Sequence, residues 1–275
     1  MKQTLPRMLR TFSIAALLLA ATQSQPSLAQ TPTLAQPAAL VQNPTAAPTP
    51  ELLSITVVSV RPNMVADFQN FMKTTTNPAL KKGGLKWREV WQSTSAAGDA
   101  FEYIIVAPVG AFAEYDGPSP IEKALGAQGF ADWLAKAGSM VTSVRRYIIR
   151  TRPDLSYAAK RTGPPKLAVV HSVHVAPGRT LDYENYLKND YLPVMQKGEV
   201  TYLVSQSIFG GDANEYVTLT LRDSFANLDK GPVVIQVLGA EGAMKLAQKM
   251  PAGTVTHVER SIARFVPDLS IMPEK

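Results

Sequence analysis

Hydrophobic and β-branched residues recur along the chain in an order that occurs twice. Residues 53–60 (LSITVVSV) are mostly β-branched and precede a proline, which predicts a strand, and residues 168–175 (AVVHSVHV) predict its counterpart. A helix is predicted after each strand, because apolar side chains recur at helical spacing, as at Phe68, Phe71 and Met72.

A hairpin, a second helix and a last strand are then predicted in each half. Glycine-containing turns join the hairpin strands, since glycine tolerates positive φ. The segments are residues 86–92, 101–107, 121–136 and 141–150 in the first half and 201–208, 214–221, 234–249 and 255–265 in the second. Each half therefore has the predicted order β-α-β-β-α-β, which is that of a ferredoxin-like domain.

Short identities indicate that the halves are copies of one unit. Pro-Asp-Leu-Ser stands at residues 153–156 and 267–270, and Gly-Asp-Ala at residues 98–100 and 211–213. The copies lie more than twice as far apart as the longest solenoid period, roughly 50 residues, so a duplicated domain is expected.

The predicted fold class is α+β, with two tandem ferredoxin-like domains that form a pseudo-dimeric α/β barrel. The first domain covers residues 51–156, a linker 157–165, and the second domain 166–275. Helices cover one face of each sheet, so the other faces can pack against each other. The alternative is two separate domains with solvated sheet faces, and the apolar content of both strand faces favours the barrel.

The N-terminal segment has the pattern of a signal peptide over residues 1–29. Basic residues precede an apolar run at residues 12–21, and Ser27 and Ala29 form a small-x-small cleavage site. The run is shorter than the roughly 20 apolar residues that span a bilayer, which disfavours a retained anchor. We therefore expect a periplasmic or secreted protein. Residues 30–50, rich in Pro, Ala, Thr and Gln, predict a disordered linker.

Composition excludes several classes of function. The net charge of +6 includes three basic residues of the signal segment, so the remainder is nearly neutral and nucleic-acid binding is not expected. Stable membrane insertion after signal cleavage is not expected either. With no Cys and three His, we expect neither disulfides, nor a metal site, nor a cofactor. The oligomeric state is left open, and a monomeric pseudo-dimer is plausible.

Strand alternation selects candidate side chains for the barrel interior. His174 and its first-half counterpart Ser59 are predicted to face inward, as are Trp87, Glu89 and Trp91. These five residues could line a pocket for a ligand, because such pockets combine apolar walls with a few polar groups. They could equally be a packed core. The expected second-half counterparts of the Trp-Glu-Trp set are Tyr202, Val204 and Gln206.

Two further pairs complete the candidate set. Tyr103 and Tyr216 are predicted as matched interior hydroxyls. Arg146 with Arg150, and Arg260 with Arg264, share a strand face and are each a possible clamp for a carboxylate or phosphate. The structural alternative is an ion-pair network. In it, Arg150 pairs with Asp154, and Arg264 pairs with Asp268 in the other half.

The order of strand, proline, helix with paired aromatics, Lys-Gly, aromatic strand and Glu-Tyr strand resembles the dimeric α/β-barrel superfamily. Within it, residues 53–156 and 168–270 resemble NIPSNAP-like domains and, more distantly, antibiotic-biosynthesis-monooxygenase-like and stress-responsive barrel domains. Members usually dimerise to form the barrel, which implies that this chain forms a pseudo-dimer alone. The resemblance also implies cofactor-free oxygenase or isomerase chemistry on polycyclic substrates.

We predict an exported protein that binds a small hydrophobic or anionic molecule between its sheets, in a cavity that contains His174 and at least one of Trp87 and Trp91. The main alternative is a cofactor-independent monooxygenase or isomerase for an aromatic or polycyclic substrate. Haem handling and a structural protein with a filled core are further alternatives. Haem is disfavoured because His174 and His257 fall on predicted strands rather than a helix.

Overall fold

The computed structural model describes residues 49–161 and 163–273. The predicted signal peptide at residues 1–29, and the predicted linker except for residues 49 and 50, lie outside the described residues.

Eight antiparallel strands close into one barrel. Its order around the ring is β1-β3-β2-β8-β5-β7-β6-β4, so the described strands leave no free edge. The strands are β1 (Leu52–Val60), β2 (Glu89–Ser93), β3 (Glu102–Val109), β4 (Val141–Thr151), β5 (Leu167–Val175), β6 (Tyr202–Phe209), β7 (Glu215–Arg222) and β8 (Val255–Phe265).

The predicted fold class is wrong, because the halves do not form two sheets that pack face to face. Their edge strands pair instead: Trp91 of β2 lies opposite Phe265 of β8, and Arg150 of β4 lies opposite Gln206 of β6. Each edge strand would otherwise carry unpaired N–H and C=O groups, and pairing across the halves satisfies them. The result is one closed, all-antiparallel barrel. The domain boundaries at 51–156 and 166–275 stay a prediction.

Helices lie outside the barrel. They are α1 (Val65–Phe71), α2 (Asn77–Lys82), α3 (Pro120–Met140), α4 (Thr180–Tyr186), α5 (Leu192–Lys197), α6 (Ala226–Asp229) and α7 (Val233–Gln248). Within the described residues, none of them combines the length and the apolar character needed to cross a bilayer.

Two local devices recur in the helices. A five-residue π-helical turn joins α1 to α2 and another joins α4 to α5, just before Pro78 and Pro193. Proline lacks an N–H and its ring crowds the preceding turn, which accounts for a widened turn there. The long helices α3 and α7 are kinked at Gly126 (φ 73°) and Gly239 (φ 70°), a backbone conformation that glycine adopts without strain.

Each Pro-Asp-Leu-Ser turn packs on the opposite half, and we call residues 153–156 and 267–270 the exchanged tails. Leu155 is 1% exposed and belongs to the apolar cluster around α4 and α5, whereas Leu269, also 1% exposed, belongs to the cluster around α1. The hydroxyls of Ser156 and Ser270 each accept a hydrogen bond of 2.9 Å from a strand N–H of the half they join. The tails therefore interlock the halves outside the barrel.

Candidate functional site

The barrel encloses a cavity of about 1110 Å³. Its walls are the alternate, inward-facing side chains of the strands, such as Ile55 and Val57 of β1 and Val170 of β5. Aliphatic groups dominate the middle of the barrel. The cavity is therefore open space rather than a filled core.

The two ends of the cavity differ in polarity. Strands β1, β2, β5 and β6 run toward one end, which we call the polar end, and the other strands return from it. The inward side chains near this end are Glu102, Arg145, Ser172, His174, Ser207, Glu215 and Glu259. At the opposite end, the cavity lining includes Glu51, Thr151 and Arg161. Trp87 packs there against Leu53 and Ile149, outside the lining itself. The carboxylates and His174 are thus concentrated at the polar end.

Glu89 and Trp91 lie two residues apart on β2 and both line the cavity. The indole Nε1 of Trp91 donates a hydrogen bond of 3.1 Å to Oε2 of Glu89, and the ring packs against Phe265 at 5.1 Å between centroids. Burial raises the pKa of the Glu89 carboxyl, and the hydrogen bond from Trp91 offsets part of that shift. Glu89 can therefore hold or accept a proton closer to neutral pH than an ordinary carboxyl.

His174 lies near the end of β5 and lines the same cavity as Trp91. Its Nδ1 is 3.3 Å from the carboxylate of Asp212, on the β6–β7 turn, and its ring centroid is 5.7 Å from that of His257. A carboxylate at this nitrogen can orient the ring and select its tautomer. Asp212 belongs to the repeated Gly-Asp-Ala, so the sequence contained this partner, although only the fold brings it near His174.

Ser59 occupies the matching place in the first half. Its hydroxyl accepts a hydrogen bond of 3.0 Å from Ser143, whose counterpart on β8 is His257. A serine pair therefore stands in one half where a histidine pair stands in the other. The polar end is asymmetric for this reason.

The placement expected for Tyr103 and Tyr216 is wrong. Both side chains are 0% exposed and face the helices: Gln69 donates a hydrogen bond of 2.8 Å to Tyr103, and Tyr216 donates one of 2.5 Å to Glu184. The large rings fill the space between barrel and helices.

The residues that sequence reasoning missed are their neighbours Glu102 and Glu215, which face the cavity. Ser93 donates a hydrogen bond of 3.3 Å to Glu102, and Ser172 donates one to Glu215. The repeated Glu-Tyr pair was the available signal. Alternation required one member of each pair to face inward and left open which one.

The inward orientation of Arg146 and Arg260 is also wrong, because they lie opposite Thr56 and His171, which alternate with the cavity-lining Val57 and Ser172. Their neighbours Arg145 and Glu259 line the cavity instead. Arg146 and Arg260 therefore offer no partner to Glu89, and their predicted role as an anion clamp in the cavity has no support from the geometry.

The expected ion pairs of the tails differ as well. Arg152, not Arg150, contacts Asp154 at 2.8 Å, and Lys73, not Arg264, contacts Asp268 at 2.8 Å.

The proposed counterparts of the Trp-Glu-Trp set are displaced by one residue. Gln92 lies opposite Tyr103 and Gln206 opposite Tyr216, so these two glutamines correspond. Leu203 and Ser205, which line the cavity, therefore take the places of Glu89 and Trp91. A slip of one residue exchanges the faces of a strand. The buried carboxylate beside an indole is thus a feature of the first half.

Among the residues that the structure describes, no group of three or more His, Cys, Asp or Glu side chains is arranged to hold a metal ion.

No protein-family model and no curated protein matches this chain. Solved structures do resemble it. One is a candidate monooxygenase from Lactobacillus acidophilus NCFM, with a TM-score of 0.52, 10% identity and coverage of 81% of this chain and 96% of that chain. A candidate monooxygenase from Fusobacterium nucleatum has a TM-score of 0.53, 11% identity and coverage of 78% and 92%. An anthrone oxidase-like protein has a TM-score of 0.52, 13% identity and coverage of 81% and 94%.

At these identities the likeness shows the fold alone. The shared fold is a barrel with helices outside it, which is compatible with the resemblance to the dimeric α/β-barrel superfamily. The finer resemblance to NIPSNAP-like domains stays a prediction.

Proposed function

We propose that the barrel binds a small organic molecule with an apolar, preferably aromatic, body. The observation that carries the proposal is the cavity of about 1110 Å³, lined by aliphatic and aromatic side chains in its middle and by polar groups toward its ends. Ligand pockets usually measure roughly 300–1,000 Å³ and combine apolar walls with a few polar groups. A ligand of two or three fused rings fits such a space.

Polar groups of the wall favour a ligand that forms hydrogen bonds. Ser207 is 4% exposed and lines the cavity, and its hydroxyl has no hydrogen-bond partner among the described residues. Buried polar groups usually have a partner, so a ligand or water is expected there. Near the polar end, Glu102, Glu215 and Glu259 outnumber Arg145, which favours ligand groups that donate hydrogen bonds, such as hydroxyls or amines.

Native mass spectrometry of protein purified from the cell that produces it tests this proposal. We expect a bound species that persists in Trp133→Leu, whose indole lies on α3 beside Phe71 and Phe130, and is lost in Trp91→Leu. The neutral dye N-phenyl-1-naphthylamine should bind the wild type saturably. Absence of both the bound species and saturable dye binding would contradict the proposal.

A second candidate function is cofactor-independent oxygenation or isomerisation of an aromatic substrate. The observation that favours it is Glu89, a carboxyl with a raised pKa in the cavity wall beside Trp91. Such a group can accept a proton from an activated C–H, which begins either reaction. In an isomerisation the proton returns to another carbon. In an oxygenation dioxygen is the oxidant, and the balanced change is CH₂ + O₂ → C=O + H₂O.

Oxidation of anthrone to anthraquinone under air tests the catalytic candidate. Glu89→Gln should lower the rate by about 10²–10⁴-fold if Glu89 is the base. His174→Ala should also lower it sharply, and Ser59→Ala at the matching position should not. An unchanged rate in His174→Ala removes that residue from the mechanism. Rates equal to the uncatalysed reaction in the wild type reject anthrone oxidation as the activity.

We also propose that residues 1–29 direct export and are removed near Ala29. The support is the sequence pattern of basic residues, apolar run and small-x-small site. Cell fractionation followed by intact-mass measurement should find a mature chain that begins at Gln30 outside the cytoplasm. A full-length cytoplasmic chain would reject this proposal.

A further inference from the structure

A second pocket, of about 1060 Å³, lies beside the end of the barrel opposite the polar end, and we call it the basic pocket. Its lining includes five basic side chains and two acidic ones. These are Lys160, Arg161, Lys166, Arg222 and Arg264, with Glu199 and Asp223. This excess of basic over acidic side chains is a local feature, since the whole sequence has 28 Lys and Arg against 22 Asp and Glu.

The positive charge of the basic pocket is largely uncompensated. Asp223 is engaged by Arg161. Within residues 49–161 and 163–273, neither Arg222 nor Arg264 forms an ion pair with a carboxylate, in contrast to Arg161. The Nε atoms of Arg161 and Arg222 are buried without a hydrogen-bond partner among the described residues. Such donors require an acceptor, and anionic oxygens are the strongest ones.

The arginines of the basic pocket are held in place by the fold. Arg222 of β7 and Arg264 of β8 lie on either side of β5, each directly opposite Leu167, so all three side chains share one face. The Arg264 guanidinium lies 5.8 Å from the centroid of the Phe225 ring. The side chain of Asn227 accepts hydrogen bonds from the backbone N–H groups of the same loop. Two guanidinium groups on one face, one on each side of β5, can both donate hydrogen bonds to oxygens of one anion.

The matching positions of the first half are less basic. Leu52 corresponds to Leu167, and the residues opposite Leu52 are Val109 and Arg150. Val109 thus takes the place of Arg222, and Arg150 that of Arg264. The lysine at position 166 corresponds to Glu51. The basic character is therefore not imposed by the repeated architecture.

The basic pocket and the barrel cavity share a wall. Arg161, Pro164, Pro165 and Leu221 line both. We propose that the basic pocket binds the anionic group, a carboxylate, sulfonate or phosphate, of a molecule whose apolar body lies in the barrel. This inference rests on the proposed function and specifies its ligand as an amphipathic organic anion.

Two fluorescent dyes with similar ring systems separate the two claims. 1-Anilinonaphthalene-8-sulfonate carries an anionic group, whereas N-phenyl-1-naphthylamine does not. Both are titrated against the full mature chain at constant ionic strength. We expect the wild type to bind the sulfonate more tightly. Inorganic phosphate should displace the sulfonate dye, and chloride at equal ionic strength should not.

Variants assign that preference to the pocket. Arg222→Gln with Arg264→Gln should weaken binding of the sulfonate dye by at least about tenfold, as expected for lost charge-assisted hydrogen bonds, and change binding of the neutral dye by less than about twofold. Arg222→Lys with Arg264→Lys should restore part of the affinity. Arg150→Gln, at the first-half position that corresponds to Arg264, should leave both affinities unchanged. Thermal unfolding checks that each variant is folded.

The outcomes distinguish this inference from the proposed function. Binding of the sulfonate dye and its displacement by phosphate, with no binding of the neutral dye, would retain the anion site and reject the barrel as the site of the apolar body. Equal affinity of the wild type for both dyes, or parallel loss of both in the double glutamine variant, would overturn the anion site.

Discussion

At the scale of single residues, Glu89 combines a polar group with an apolar wall. Its carboxyl lies among the side chains of the barrel cavity, and its one side-chain hydrogen-bond partner among the described residues is the indole of Trp91. Desolvation of a carboxylate is unfavourable unless hydrogen bonds or charges compensate it. One neutral hydrogen bond offsets only part of that penalty, which is why burial raises the pKa of Glu89.

The raised pKa makes a prediction about stability. The folded state favours protonated Glu89, so this contribution is present at low pH and is lost as pH rises from the usual Glu value, about 4.3, through the raised folded value. Glu89→Gln abolishes the titration. The free energy of unfolding of Glu89→Gln minus that of the wild type should therefore increase as pH rises from about 4 to 8. Urea unfolding at several pH values measures it.

A second variant checks the cause. Trp91→Phe removes the indole N–H that lowers the pKa of Glu89, so the pH dependence attributable to Glu89 should extend to higher pH in that background. Parallel stability curves for wild type and Glu89→Gln at all pH values would show that burial of this carboxyl has no energetic consequence.

Alternation with a period of two explains which parts of the site were predictable. It predicts that His174 and Ser59 face inward on β5 and β1; His174 lines the cavity, and Ser59 shares the alternation of the lining residues Ile55 and Val57. It misplaces Tyr103 and Tyr216, since in a Glu-Tyr pair either residue satisfies the pattern and only the helix layer decides. Asp212, the partner of His174, lies on a turn, and local sequence does not specify which strand end a turn approaches.

At the scale of elements, the exchanged tails connect each half to the helices of the other. Arg152 beside the first tail donates hydrogen bonds to both Asp154 and Glu184, and Glu184 also accepts one from Tyr216. Leu155 fills the apolar cluster around α4 beside these polar contacts. A short turn thus combines apolar burial with a charged network at a boundary between the halves.

Truncation of the tail leucines should destabilise the protein strongly. Leu155→Ala and Leu269→Ala each remove a side chain that is 1% exposed, and the cavity left behind predicts a loss of about 2–5 kcal/mol. Leu181→Ala, at a leucine that is 72% exposed, should change stability by less than about 0.5 kcal/mol. Urea unfolding at neutral pH measures all three. A loss below about 1 kcal/mol in both tail variants would show that the tails contribute little to the folded state.

The network at Glu184 makes a second prediction, with the opposite pH dependence to Glu89. Hydrogen bonds from Arg152 lower the pKa of Glu184. Its contribution is present above the usual Glu value of about 4.3 and is lost as pH falls through the lowered folded value. Glu184→Gln should therefore cost about 1.5–3 kcal/mol at neutral pH, and this cost should disappear in acid.

The exposed pair of Lys73 and Asp268 is the matched control for that network. Its side chains are 44% and 71% exposed, so Asp268→Asn should cost less than about 1 kcal/mol at any pH. A constant cost of Glu184→Gln between neutral and acid pH would contradict the assigned role of its charge.

At the scale of the whole molecule, closure of the barrel depends on pairs of strands that are distant in sequence. The hydrophobic pattern predicted the order of the elements, since that order is encoded by local spacing. It did not predict that β2 pairs with β8 and β4 with β6, because an edge strand carries the same alternation whether it is solvated or paired. Contacts such as Trp91 with Phe265 arise only when both halves are folded together.

This dependence predicts how the chain behaves when it is divided. In the separated fragments 49–163 and 164–275, two strands of each fragment lose one of their two neighbours and become edges. These are β2 and β4 in the first fragment and β6 and β8 in the second. Unpaired edges favour association, so each fragment alone should self-associate, and co-expressed fragments should form a 1:1 complex that closes the barrel. Size-exclusion chromatography with light scattering measures the masses.

Leu155→Ala in the first fragment should weaken the complex, because its tail packs on the second half, whereas Leu134→Ala, at a leucine that is 49% exposed, should not. Two stable monomers that do not associate would contradict the closed barrel as the unit of stability.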